Sequence, residues 1–190
     1  MNRFPTLDEV MCMDAQAVFD HVVHHLLRQA RRCQDDTGCL YRGPAGDACA
    51  VGAMMPDACY GAFLERRNLS GVIEVLVASP HSVHRRFALV IDRHYRMLLE
   101  LQRMHDHSPE GKWPDTLHAI ARTFGLSTSA IDDTPRTITS VAPSGACLAA
   151  LSGSGGCTAT DTYAMGDAKA ERAFRALLRT LMIEPAAMPA

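Results

Sequence analysis

Cysteine and histidine are the residue types through which this chain could catalyse a reaction or hold a metal. The sequence has seven cysteines and nine histidines among its 190 residues. Every histidine lies between His21 and His118, so chemistry that depends on histidine belongs to the first two-thirds of the chain. The cysteine count is odd, and no secretion signal precedes the cysteines, which argues against a framework of disulfides.

A zinc site is the first chemistry that the cysteines suggest. Structural zinc sites usually draw ligand pairs from knuckles two to four residues apart, and this chain has no such pair. His105 or His107 would have to complete a mixed site. The alternative is that Cys39 and Cys49 pack against each other as buried thiols. The candidate zinc ligands are Cys33, Cys39, Cys49 and Cys59.

Nucleophilic catalysis is the second chemistry, and it needs a thiol, a base and a group that orients the base. Cys49 is the candidate nucleophile, because Gly52 follows it and lets backbone approach a ligand closely. His105 is the candidate base and Asp106 the orienting carboxylate. A buried structural thiol at Cys49 remains the alternative.

Arginines follow one face of a predicted helix and could contact nucleic acid or an acidic protein surface. Asp92 and Glu100 interrupt this face, which favours a solvent-exposed surface with salt bridges over a binding surface. The arginines concerned are Arg85, Arg93, Arg96 and Arg103.

The overall composition limits the class of protein. With 21 acidic and 19 basic residues the formal net charge is −2, so nucleic acid and anionic membranes are not favoured as the main partner. The 47% apolar fraction is typical of globular proteins. No apolar run reaches the roughly 18–20 residues of a membrane span, and the first residues lack the apolar core of a signal peptide. We therefore expect a soluble, cytoplasmic protein.

Hydrophobic periodicity predicts a mainly helical α+β fold with about four helices packed around one β-hairpin. Turn residues at 43–47 place the hairpin at about 39–55. Residues 69–78 are apolar with a β-branched bias, and periodicity leaves strand and short helix open. A second small β element is allowed near 137–151. The predicted helices cover 15–32, 83–104, 114–124 and 167–182.

Composition also divides the chain into three parts. A helix and hairpin domain occupies residues 1–126. Residues 127–166 are rich in Ser, Thr, Gly and Ala and carry little charge, which is typical of a linker. We expect the helix within residues 167–190 to pack back on the domain.

Three groups of residues resemble small uncharacterised proteins encoded by bacteriophages and bacterial genomes. The resemblance covers residues 18–126 and implies no established activity. It does imply that the hairpin and the later histidine segment form one unit, and that the chain has a phage or prophage origin. The motifs are Cys39-Leu40-Tyr41-Arg42 with Gly46 and Cys49-Ala50-Val51-Gly52, Met55-Pro56-Asp57 with Tyr60, and Leu101-Gln102-Arg103-Met104-His105-Asp106.

These observations favour a non-enzymatic protein-interaction module without a cofactor, a phage or mobile-element accessory that binds a host protein. The first alternative is a small Cys/His-dependent enzyme or zinc protein that uses Cys39 and Cys49 with His105 and Asp106. The second alternative is nucleic-acid binding through the arginine-bearing helix over 83–104.

Overall fold

The computed structural model describes residues 3–134. They contain eight α-helices and one two-stranded antiparallel hairpin, which confirms a mainly helical α+β fold. Three short 3-10 helices complete the described elements, at Asp57–Cys59, Ala62–Leu64 and Glu110–Lys112. The main elements are α1 (Leu7–Cys12), α2 (Ala15–Gln29), β1 (Gln34–Asp35), β2 (Gly38–Cys39), α3 (Ala50–Met54), α4 (Leu69–Ala78), α5 (Ser82–Arg93), α6 (Tyr95–His107), α7 (Trp113–Phe124) and α8 (Ser129–Asp133).

Helix α2 runs through the core and begins where the sequence predicts. The Asp14 carboxylate accepts a hydrogen bond from the Ala17 N–H at 2.8 Å, which satisfies one of the free amides of the first turn. The helix ends at Gln29 because Ala30 adopts a left-handed conformation with φ of 54°. Its buried face consists of Val18, Phe19, Val22, Val23, His25, Leu26 and Leu27.

The hairpin differs from its predicted position. Its register pairs Gln34 with Cys39, so the turn lies before the predicted 39–55 segment. Within that segment a single antiparallel bridge joins Arg42 to Ala48. Helix α3 occupies the predicted return strand because the Cys49 thiol caps the helix by accepting the Gly52 N–H at 3.3 Å.

Of two further helical regions, one differs from the sequence prediction and the other resolves an open alternative. The single helix predicted over 83–104 is divided at His94, whose backbone (φ −108°, ψ 14°) ends α5 and begins α6. The apolar stretch 69–78 is helical, and Asn68 caps it by accepting the Gly71 N–H at 2.8 Å. His94 is 7% exposed, so the break lies inside the protein.

The C-terminal described helices pack on the same core. Helix α7 ends at Gly125, whose left-handed φ of 66° is the conformation that glycine commonly adopts at the end of a helix. Helix α8 buries Ala130 and Ile131 in the core cluster, so the packed unit runs past residue 126. The β element near 137–151, most of the 127–166 segment and the 167–190 helix lie outside the described residues. Among residues 3–134 no helix is long and apolar enough to cross a membrane.

Candidate functional site around His105

His105 lies in the last turn of α6 and is fully buried. Its Nε2 accepts a hydrogen bond from the Cys33 backbone N–H at 3.0 Å. Its Nδ1 lies 2.8 Å from Oδ1 of Asp106. Because Nε2 supplies the lone pair for Cys33, the ring proton belongs on Nδ1, which donates to the Asp106 carboxylate. Both ring nitrogens of a neutral imidazole therefore have a hydrogen-bond partner.

Gln102 connects the pair of His105 and Asp106 to helix α3. Its side-chain amide donates to both carboxylate oxygens of Asp106, at 2.9 and 3.1 Å. Its carbonyl oxygen accepts the Val51 N–H of α3 at 3.3 Å. The same network therefore ties α6 to α3 and, through Cys33, to the start of the hairpin.

Cys39 of β2 is the thiol that the fold brings to this network. One ligand atom each from Cys39, His105 and Asp106 lie within 4.8 Å of one another. Cys39 and Asp106 are partly exposed, whereas His105 is buried. Thiolate, imidazole and carboxylate are the three ligand types that zinc takes in proteins.

The hydrogen bonds of His105 disfavour both metal binding and general-base catalysis by this side chain. A metal on Nε2 would displace the Cys33 N–H, and a metal on Nδ1 would leave a protonated Nε2 facing that N–H. The lone pair that a general base would use is likewise already accepting the Cys33 amide. The arrangement as it stands holds the hairpin against α6.

Cys49 does not occupy the position of a nucleophile. Its side chain is fully buried and accepts the Gly52 N–H, so it acts as a helix cap. Burial, and secondarily the negative charge of Asp106, raise the pKa of the Cys49 thiol well above its ordinary value. A thiol that stays protonated is a poor nucleophile, and Cys39 is the cysteine grouped with His105 and Asp106.

The four candidate zinc cysteines are not brought to one point. The Cys33 thiol donates to the Asp47 carbonyl and the Cys59 thiol to the Val83 carbonyl, both at 3.5 Å. Burial raises the pKa of Cys33 to about 12 and that of Cys59 to about 11. Among residues 3–134 the cluster able to share an ion contains Cys39 but none of the other three cysteines.

The predicted arginine face is divided between two helices. Arg85 and Arg93 belong to α5, whereas Arg96 and Arg103 belong to α6 beyond the break at His94. Arg103 forms an ion pair with Glu100 at 3.1 Å, and the Arg93 guanidinium donates to the Met11 carbonyl at 3.4 Å. This arrangement does not favour one continuous basic surface for nucleic acid, which stays a prediction.

A surface that the sequence did not single out lies around Phe63. Phe63 is 51% exposed, and its ring centroid lies 6.1 Å from that of His84, which in turn lies 5.3 Å from that of His81. Arg67 donates to the Phe63 carbonyl at 2.8 Å, and Arg85 donates to the Ser79 carbonyl at 2.8 Å. The sequence singled out Arg85 alone among these residues, because the set comes from two separate segments that no single periodic pattern joins. We call the following set the Phe63 surface: Phe63, Arg67, His81, His84 and Arg85.

Comparison of the chain with protein-family models, with curated proteins and with solved structures gave no match.

Proposed function

We propose that this chain is a non-enzymatic protein-interaction module that contacts its partner through the Phe63 surface. The observation that carries the proposal is the exposure of Phe63, which stands out among the large apolar side chains of residues 3–134. When a partner covers a half-exposed aromatic ring, apolar surface is removed from contact with water. This removal favours binding.

The composition of this surface supports the same conclusion. Aromatic and arginine side chains are enriched among the residues that contribute most to binding at protein interfaces. The Phe63 ring also packs closely against the backbone of its own segment, because an added Cβ at Gly61 would lie 2.3 Å from its Cε1 atom. A preoriented ring loses less conformational entropy when a partner binds.

The resemblance to phage-encoded proteins makes a host protein of the cytoplasm the partner that we expect. A phage accessory protein of this kind would occupy a surface of a host protein, which requires a contact patch rather than a catalytic centre. The buried and capping roles of Cys33, Cys49 and Cys59 agree with this expectation.

Selection of binders from a displayed library of random peptides tests the proposal on the full chain. We expect the enriched peptides to bind the full chain and to lose at least about 10-fold in affinity on Phe63→Asp. Gly61→Ala keeps Phe63 but displaces its ring, so it should weaken the same peptides.

Thermal unfolding provides the control. Gly61 is partly exposed and Phe63 is exposed, so both variants should melt within a few degrees of the wild-type chain. Peptides that bind wild type and Phe63→Asp equally would show that another surface carries the interaction.

A second candidate function is zinc binding by Cys39, His105 and Asp106, and the convergence of their ligand atoms within 4.8 Å favours it. Zinc bound at Nδ1 would replace the proton between His105 and Asp106 and move the ring proton to Nε2, where it would face the Cys33 N–H and break that hydrogen bond. Zinc should therefore speed hydrogen exchange at the Cys33 amide.

Zinc titration followed by long-range ¹H–¹⁵N spectra of the imidazole tests this second candidate. Binding at the site predicts loss of the Nδ1–H signal of His105 and loss of affinity in Cys39→Ala, with Cys12→Ala as the control at an exposed cysteine. Unchanged signals of both His105 ring nitrogens at saturating zinc would exclude the site.

A further inference from the structure

We propose that the Phe63 surface recognises an acidic segment of the partner, with Asp or Glu side chains beside one apolar side chain. This inference rests on the proposed function, because it names the chemistry of the partner that the same surface binds. Three features support it: the charge of the surface, the carbonyl hydrogen bonds that hold its arginines, and the position of Phe63 next to Arg67 and His84.

The arginines of the Phe63 surface are anchored by backbone carbonyls and form no ion pair with a carboxylate within residues 3–134. Arg67 donates through Nε to the Phe63 carbonyl, and Arg85 donates through Nη1 to the Ser79 carbonyl. A guanidinium has five N–H donors, so each anchored group retains donors for a carboxylate.

Neighbouring arginines of the same segments are already neutralised. Arg66 pairs with Asp35 at 2.8 Å, and Arg86 pairs with Asp8 at 3.1 Å. Glu65, the acidic residue beside Arg66, faces the hairpin loop, where it accepts hydrogen bonds from the Tyr41 N–H and the Tyr60 hydroxyl. Within these two segments of the described chain, the arginines that keep no carboxylate partner are therefore those of the Phe63 surface.

The two histidines add further donors at the edge of the ring. The Ser79 hydroxyl accepts the His81 backbone N–H at 3.2 Å and lies 2.7 Å from Nδ1 of His84. Ser79 thus holds the loop before α5, the His84 ring and, through its carbonyl, the Arg85 guanidinium. Each imidazole carries at least one N–H, and a carboxylate accepts from such a group.

Phe63 gives the surface its apolar part. Its exposed ring lies 6.1 Å from the ring of His84, and its backbone carbonyl accepts the hydrogen bond of Arg67. A peptide that places carboxylates over the arginines would bring a neighbouring apolar side chain against this ring. Charge complementarity of this kind contributes specificity and speeds association, and salt weakens it.

The peptides selected against the full chain test the inference through their composition and their response to charge. We expect Phe63-dependent peptides to be enriched in Asp and Glu and to weaken at least about 10-fold in the double variant Arg67→Glu and Arg85→Glu. The matched control is Arg28→Glu with Arg122→Glu, which changes the net charge equally at exposed positions on α2 and α7 and should leave affinity within about 2-fold.

A change in the peptide keeps the test valid if the double variant fails to fold. Replacing the acidic residues of a selected peptide by Asn and Gln should weaken its binding to the wild-type chain at least about 10-fold, and about 0.5 M salt should weaken the original peptide. Peptides that depend on Phe63 but are neutral or basic would overturn the acidic partner and leave the proposed function standing. Acidic peptides that bind the wild-type chain and Phe63→Asp with equal affinity would overturn both the acidic partner and the proposed function.

Discussion

At the scale of single residues, the contact between Gly52 and Tyr41 decides how the hairpin loop meets α3. An ideal Cβ at Gly52 would lie 1.8 Å from the Tyr41 carbonyl oxygen. That oxygen accepts the Cys49 N–H at 3.1 Å, so the close approach belongs to the same hydrogen-bonded turn. Only glycine leaves room for it.

We predict that Gly52→Ala lowers the free energy of unfolding by about 3 kcal/mol, because the backbone must move and the Cys49–Tyr41 hydrogen bond must stretch. Urea denaturation measures this change. Gly111→Ala is the control, since its added Cβ would meet no atom within 4 Å, and we expect a change within about 0.5 kcal/mol. Equal effects of the two substitutions would contradict the steric argument.

His105 shows which contacts of a single residue follow from the sequence. Its neighbour Asp106 is adjacent in the chain, so their pairing could be predicted from the sequence. The Cys33 N–H that occupies Nε2 could not, because that contact depends on where the chain returns after α2. The hydrogen bond decides whether the imidazole is available for chemistry.

At the scale of elements, Cys49 determines that residues 50–54 are a helix and not a strand. Its thiol accepts the Gly52 N–H, while its own N–H bonds to the Tyr41 carbonyl. Cysteine is not a usual N-cap residue, so the sequence pattern alone favours a return strand. The buried position of the thiol makes the cap effective.

We predict that Cys49→Ser retains more stability than Cys49→Ala, by about 1 kcal/mol in the free energy of unfolding, because the serine hydroxyl still accepts the Gly52 N–H. Guanidinium denaturation of both variants measures the difference. The same pair of substitutions at Cys12, which is exposed at the end of α1, should differ by less than about 0.5 kcal/mol. If Cys49→Ala were the more stable variant, the thiol would not be a cap.

At the scale of the whole molecule, histidines in the core make stability depend on pH. His25 is 8% exposed, and burial lowers its pKa below the ordinary value of about 6.5. Burial lowers the pKa of His94 in the same way. The unfolded chain therefore binds protons at a higher pH than the folded chain does.

We predict that the free energy of unfolding falls as the pH drops from about 7.5 to 5.5, by up to about 1.4 kcal/mol per pH unit for each such histidine. Urea denaturation at several pH values measures the slope. His25→Gln should make the slope shallower than that of the wild type. A slope that is unaffected by His25→Gln would contradict its burial as a neutral side chain.

Burial also separates the cysteines by reactivity. We predict that iodoacetamide at a pH of about 8 modifies Cys12 in the native protein, while Cys33, Cys49 and Cys59 react only after unfolding. The three protected thiols are buried, and burial raises each pKa. Peptide mass spectrometry with and without urea measures the labelling, and native modification of Cys49 as fast as that of Cys12 would disprove its role as a buried cap.

Features that depend on local interactions could be predicted from the order of the amino acids. The apolar spacing of α2, the Asp14 cap and the Gly125 cap were predictable because each involves residues within about one helical turn. The mainly helical fold class followed from the same periodicity. Adjacency in the chain also identified the pair His105 and Asp106.

Contacts between residues far apart in the chain are visible only in the folded molecule. Folding groups Cys39 rather than Cys49 with His105, because the true hairpin register pairs Cys39 with Gln34. It also places Phe63 beside His84, a contact between two segments that no pattern connects. Such contacts depend on the packing of the whole core, whose energy is shared among many residues and is not encoded in any short stretch of sequence.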